Sequence, residues 1–116
     1  MGIFNDEEID VSPAAVRERL ESDEIQLVDV REPHEWEAGH IAGARHIELE
    51  RLASSAETIA RDRPVVFQCR LGNRSAMAAQ AFRTAGYEAY SMEGGLTSWA
   101  EQGLPLEPDD GRVAEH

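Results

Sequence analysis

The sequence predicts an α/β domain: a central, mainly parallel sheet of about five strands with helices on both faces. Three observations predict it. Short runs rich in aliphatic or aromatic residues, at 9–11, 25–31, 45–49, 64–68 and 86–92, alternate with segments whose apolar residues recur at helical spacing. That alternation is the signature of strand, crossover helix and parallel strand. The runs at 25–31 and 64–68 are apolar almost throughout, which suits strands covered by a layer on each side. Finally, 116 residues suffice for one such core and are expected to form a single domain.

The elements follow in order. Residues 1–8 form an acidic lead-in, and 9–106 are expected to make up the domain, beginning with a short strand at 9–11. Ser12 and Pro13 start a helix as N-cap and first helical residue, with Val16 and Leu20 on one stripe. The strand at 25–31 is aliphatic until Asp29 and Arg31, whose simplest role is an ion pair or cap for the following turn. Pro33 opens a short helix that Gly39 ends. A small-residue loop at 39–44 precedes an extended segment at 45–49, and a helix is expected over 52–60 with Leu52, Ala56, Ile59 and Ala60 on one face. After the strand at 64–68, an alanine-rich helix over 76–85 carries Ala78, Phe82 and Ala85 on its apolar face and stops at Gly86. The strand at 86–92, a tight turn at Glu93, Gly94 and Gly95, and a closing helix over 96–102 complete the domain. Residues 107–116 are polar, contain Pro108 and Gly111, and read as a tail ordered only where it packs back.

The chemistry concentrates in residues 69–75, Cys-Arg-Leu-Gly-Asn-Arg-Ser. Cys69 leaves the carboxyl end of a strand, and the next residues feed a helix amino terminus. Carboxyl ends of strands are where open α/β sheets bind ligands, and a helix start offers unpaired N–H groups with partial positive charge. Gly72 lets the backbone turn inward, Asn73 tolerates unusual dihedrals, and Arg70 and Arg74 add two cations. A thiol in that cradle is expected to be an exposed nucleophile, ionising below the reference value of about 8.5.

Composition bounds the partners. The formal charge is −12, which argues against binding nucleic acid or an anionic membrane surface. All 11 cations are arginines. The single cysteine excludes an intramolecular disulfide and a resolving thiol within the chain, so whatever Cys69 acquires must leave to another molecule. Neither a signal-peptide pattern nor an apolar run of membrane length is present, and the cytoplasm is the expected location.

Four segments together resemble the single-domain rhodaneses, the thiosulfate sulfurtransferase family: residues 28–32 (Val-Asp-Val-Arg-Glu), 39–44 (Gly-His-Ile-Ala-Gly-Ala), the 69–75 loop, and 93–96 (Glu-Gly-Gly-Leu) with Trp99. They occur in the family's order across most of the chain. The resemblance implies a Cys69 thiolate that takes the outer sulfur of a donor such as thiosulfate and passes it, through a persulfide, to a thiophilic acceptor. Cyanide, a thiol or an acceptor protein would serve. It implies that the N–H groups of Arg70, Leu71, Gly72, Asn73, Arg74 and Ser75 surround the anion. Arg74, and secondarily Arg70, would bind the donor's anionic end. Asp29, with Arg31, would hold the loop in shape, acting through Arg74, and Gly94 and Gly95 would let a neighbouring turn approach it. It implies neither a metal nor an organic cofactor.

Three other readings compete with this one. A Cdc25-like phosphatase or arsenate reductase shares the fold and the Cys loop, but a phosphate-sized cradle wants one more residue between Cys and Arg than the four here, and an arsenate reductase wants a second thiol. A non-enzymatic persulfide carrier or partner-binding module would carry the same loop. A metal site from His34, Glu35, Glu37 and His40 is disfavoured because these residues straddle a helix end; solvated acids and a loop-bonding histidine are the expectation. Acids after the 25–31 strand, Glu32, Glu35 and Glu37, are also expected to weaken binding of a doubly charged donor.

Overall fold

The computed structural model describes residues 4, 5 and 7–115; residues 1–3 and 6 of the lead-in, and His116 at the end of the tail, lie outside the described residues. Five strands, β1 (Asp10–Val11), β2 (Gln26–Asp29), β3 (Arg45–His46), β4 (Val65–Gln68) and β5 (Ala89–Met92), form one sheet in the order β1-β5-β4-β2-β3. Every pairing is parallel. The helices are α1 (Pro13–Glu21), α2 (Pro33–Ala38), α3 (Leu52–Ser55), α4 (Asn73–Thr84) and α5 (Gly95–Glu101).

Alternation along the central strands divides the core. Val28, Val65, Phe67 and Ala89 face one side and pack against Ala78, Ala79 and Phe82 of α4, with Leu52 and Ile59. Leu27, Val66 and Tyr90 face the other, against Val16 of α1 and Leu96 and Trp99 of α5. Helices thus cover both faces, and the two central strands are buried along nearly their whole length, as their unbroken apolar runs require.

The cap on α1 forms as expected, with Ser12 Oγ accepting from the N–H of Ala15 at 3.1 Å. The helix expected over 52–60 does not form as one element. Leu49–Arg51 and Ala56–Thr58 are 3₁₀ turns flanking the four-residue α3. Hydroxyls interrupt it: Ser54 Oγ donates to the Arg51 carbonyl at 3.0 Å and Thr58 Oγ1 to that of Ser55 at 2.6 Å, tightening the backbone to a three-residue repeat. Beyond α5 the chain returns to α2. His40 and Glu107 exchange backbone hydrogen bonds at 2.9 and 2.7 Å, Arg112 N–H reaches the Ala38 carbonyl at 2.8 Å, and Ala114 is buried. Among the described residues no helix is long and apolar enough to cross a membrane.

Candidate active site

Cys69 is the first residue past β4, and β4 lies in the middle of the sheet between β5 and β2. The chain turns immediately at Gly72, whose φ of 106° lies in the left-handed region, and α4 begins at Asn73. This turn brings two amides onto the sulfur: Sγ accepts from Gly72 N–H at 3.1 Å and from Ser75 N–H at 3.4 Å. Ser75 Oγ lies 3.5 Å from Sγ, donates to the Gly72 carbonyl at 3.2 Å, and sits 2.7 Å from the buried Ser91 hydroxyl on β5. Of the six loop amides expected around the sulfur, Gly72 and Ser75 reach it. Those of Asn73 and Arg74 belong to the first turn of α4, where N–H groups have no intrahelical acceptor.

The thiol is not exposed as the sequence led us to expect. Cys69 is 1% accessible and packs in the same cluster as Val28, Val30 and Phe67. The reason is geometric. To accept from two amides of its own turn the sulfur must sit inside that turn, so the groups that stabilise it also cover it. A second turn presses on the first. Leu96 and Thr97, at the start of α5, donate backbone hydrogen bonds to the carbonyls of Cys69 and Arg70 at 2.8 and 3.0 Å. Gly95 permits this, since a Cβ there would lie 2.5 Å from both carbonyl oxygens, at a φ of +63°. Gly94 caps α5 with a φ of 74°.

The ion pair of Asp29 with Arg31 forms as the strand reading expected, but the link to Arg74 that the resemblance implied does not. Asp29 does not engage Arg74. It is buried and bonded to Arg31, whose Nε and Nη2 approach its carboxylate at 2.9 and 2.7 Å, while Nη2 also donates to the Gly39 carbonyl at 2.8 Å. Sequence proximity wins because Asp29 and Arg31 lie on consecutive same-side positions at the strand end. Arg74 instead forms a two-point pair with Glu35, Nη1 to Oε1 at 2.9 Å and Nη2 to Oε2 at 3.1 Å. Glu35, expected in solvent, is fully buried, and its Oε1 also accepts the Glu32 N–H at 3.0 Å. The guanidinium of Arg74 is therefore paired with a carboxylate, which takes two of its five N–H donors. Arg70 is half-buried, and its guanidinium makes no hydrogen bond or ion pair among the described residues. Leu71 and Asn73 are exposed on the loop's outer side. His34 and His40 bond backbone carbonyls, of Glu115 and Trp36, and no metal-ligating cluster occurs among the described residues.

Burial alone would raise the Glu35 carboxyl, but the Arg74 hydrogen bond, the Glu32 amide and the charges of Arg74 and Arg31 outweigh it and hold the group below its ordinary 4.5. The same pairing, against a smaller effect of burial, raises Arg74. A carboxyl depressed in the folded state contributes stability that is present above its unfolded value and lost as pH falls through the folded one. Glu35→Gln should therefore be less stable than the native protein at pH 7, and the gap should narrow progressively below about pH 4.5, as followed by urea unfolding across pH. A gap independent of pH would mean that the carboxylate charge is not what Arg74 recognises.

Glu35 and Ser91 are the site residues that sequence reasoning missed. The spacing of Glu32 and Glu35 at a helix start was a usable signal for the first, because a carboxylate three residues past an N-cap turns back toward the backbone. A lone serine within an apolar strand was the signal for the second.

A model of the rhodanese-like domain matches residues 12–102. The uncharacterized protein YqhL of Bacillus subtilis is 47% identical over 75 residues, which are 64% of this chain and 60% of that protein. The thiosulfate sulfurtransferase GlpE of Pseudomonas aeruginosa is 37% identical over 90 residues, covering 77% of this chain and 81% of the enzyme. Among solved structures, a rhodanese-related protein from Thermoplasma volcanium superposes with a TM-score of 0.78 at 32% identity, over 84% of this chain and 95% of that one. With the match spanning every element from α1 to α5 and the Cys loop at the sheet's carboxyl edge, the chain belongs to the rhodanese-like domain family.

Proposed function

We propose that the protein is a sulfurtransferase that moves a sulfane sulfur from a donor such as thiosulfate to a thiophilic acceptor through a persulfide on Cys69. The observation that carries this reading is the pair of amides on Sγ at the start of α4, 3.1 and 3.4 Å away, which stabilise negative charge on sulfur. The Cys69 thiolate attacks the outer sulfur of thiosulfate, forming a new S–S bond as the old one breaks and sulfite departs with its electron pair. Cyanide or a thiolate then attacks the outer sulfur of the persulfide, and the Cys69 thiolate is released unchanged. The four residues between Cys69 and Arg74, one fewer than a phosphate-sized cradle wants, suit one added sulfur better than a tetrahedral phosphoryl group and favour this chemistry over a phosphatase on the same fold. We assign the reaction to the cytoplasm, where a lone thiol stays reduced.

The test is intact-mass spectrometry after incubation with thiosulfate or 3-mercaptopyruvate, run beside an aryl phosphate assay. Gain of one sulfur atom, removed as thiocyanate by cyanide, is expected. No adduct with either donor, or turnover of aryl phosphate instead, would remove the assignment.

With Arg74 already paired to Glu35, we assign the donor's anionic end first to Arg70, with the remaining N–H groups of Arg74 beside it. Arg70→Ala should raise the KM for thiosulfate about tenfold, the size of one charged hydrogen bond, with a smaller change in kcat. Thiocyanate formation across donor concentrations measures it. An unchanged KM would exclude Arg70 from the donor contact.

A further inference from the structure

A seam runs along α4 away from the sulfur. At its upper end, beside the Cys loop, a cavity of about 410 Å³ is lined by Val30, Glu32, Glu48, Leu49, Glu50 and Arg74. At its lower end a larger one, about 720 Å³, is lined mainly by Ala53, Ala56, Ile59, Ala81, Phe82 and Ala85. Both lie between α4 and the irregular segment 48–61 that covers the same face of the sheet. On the outer side of α4, Asn73, Met77, Ala81 and Ala85 recur every four residues, all exposed, and form one stripe from loop to lower cavity. Met77 is 66% accessible and Leu71, on the Cys loop itself, 52%; they are the large hydrophobic residues left exposed among the described ones. From Arg74 to Ala85 the seam measures roughly 16 Å at the rise of an α-helix.

We propose that this seam is the docking surface of a protein acceptor: a basic amphipathic helix whose apolar face lies along Met77, Ala81 and the lower cavity, and whose thiol reaches Cys69 past Leu71. The inference rests on the sulfurtransferase reading and names the partner of its second step. Charge selects the occupant. Glu32, Glu48 and Glu50 line the upper cavity, and the cations beside it are already paired, Arg74 with Glu35 and Arg51 with Glu48 at 3.7 Å, so the balance there is acidic. The chain as a whole carries −12. An acidic partner, or a second copy of this chain, would be repelled at that end, whereas lysines or arginines would be steered toward it. The mostly uncharged lower cavity, with Glu57 and Arg61 at its edge, supplies apolar area in the manner of helix-in-groove recognition.

The probe is a synthetic Lys/Leu amphipathic helix of about 15 residues ending in cysteine, with a Glu/Leu helix of equal length as control. Binding is read by fluorescence anisotropy on Cys69→Ala protein, and sulfur transfer to the peptide thiol on the native protein, with cyanide as the small acceptor. Met77→Arg and Ala81→Arg are the variants, both at exposed helix positions that arginine suits. The basic peptide should bind about tenfold tighter than the acidic one, and each variant should lower both its binding and its rate of sulfur uptake by about tenfold, leaving the cyanide rate nearly unchanged. Equal binding of the acidic peptide, or indifference to both variants, would overturn the proposal. So would a native dimer in sedimentation that Ala81→Arg dissociates. Binding to Cys69→Ala needs no sulfur chemistry, so a protein that captures the peptide yet takes up no sulfur supports the surface while refuting the transferase reading.

Discussion

Cys69→Ser should take up no sulfur from thiosulfate, and thiocyanate formation should fall on the order of a thousandfold or more, to the background of the uncatalysed reaction. A hydroxyl in that position can still accept from the Gly72 and Ser75 amides, so the turn is expected to persist. What it cannot do is ionise at neutral pH or form a bond to sulfur that the next acceptor can break. Melting curves of the two proteins should nearly coincide, which isolates the loss to chemistry. Retained sulfur uptake by the serine variant would show that the persulfide forms elsewhere. In a chain with one cysteine, that would end the mechanism.

The largest effect on stability is expected at Arg31. Arg31→Met removes three hydrogen bonds to Asp29, including those at 2.9 and 2.7 Å, and one to the Gly39 carbonyl. Both side chains are wholly inaccessible, so water cannot replace the guanidinium, and the carboxylate is left charged in an apolar setting. Breaking one partner of such a pair costs about 3–5 kcal/mol. Set against the roughly 5–15 kcal/mol that holds a typical domain folded, this leaves a marginal protein. Arg17→Met supplies the contrast, because the Arg17–Glu21 pair on α1 is open to solvent and its loss should cost under about 1 kcal/mol. Urea midpoints of the two variants decide it; equal shifts would mean that burial is not what makes the Asp29 pair matter.

The contrast between those arginines also explains what a sequence can and cannot reveal here. The strands were legible because aliphatic runs such as Leu27-Val28 and Val65-Val66-Phe67 leave no solvated face, and the Cys loop was legible because glycine and two arginines around a strand-end cysteine have few other uses. Pairing was less so. Asp29 could take Arg31 or Arg74, and local chain geometry decided for Arg31, freeing Arg74 for a carboxylate 39 residues earlier. The spacing of Glu32 and Glu35 signals a carboxylate that turns back to the backbone, but not that it also meets Arg74, because that depends on how α2 lies against α4. The break in the helix after Leu52 turned on two hydroxyls, a competition between side chain and backbone that apolar periodicity does not register.

The place of the sulfur inside its own turn bears on the fate of anything it carries. A persulfide is easily squandered: any passing reductant can strip the terminal atom and leave nothing for the intended recipient. If the proposed persulfide forms on Cys69, the cover over it would admit only molecules able to slip under the loop or press against it, and would guard the cargo between loading and delivery. Slowness toward bulk reagents would then be a mark of custody, and not of an inert thiol.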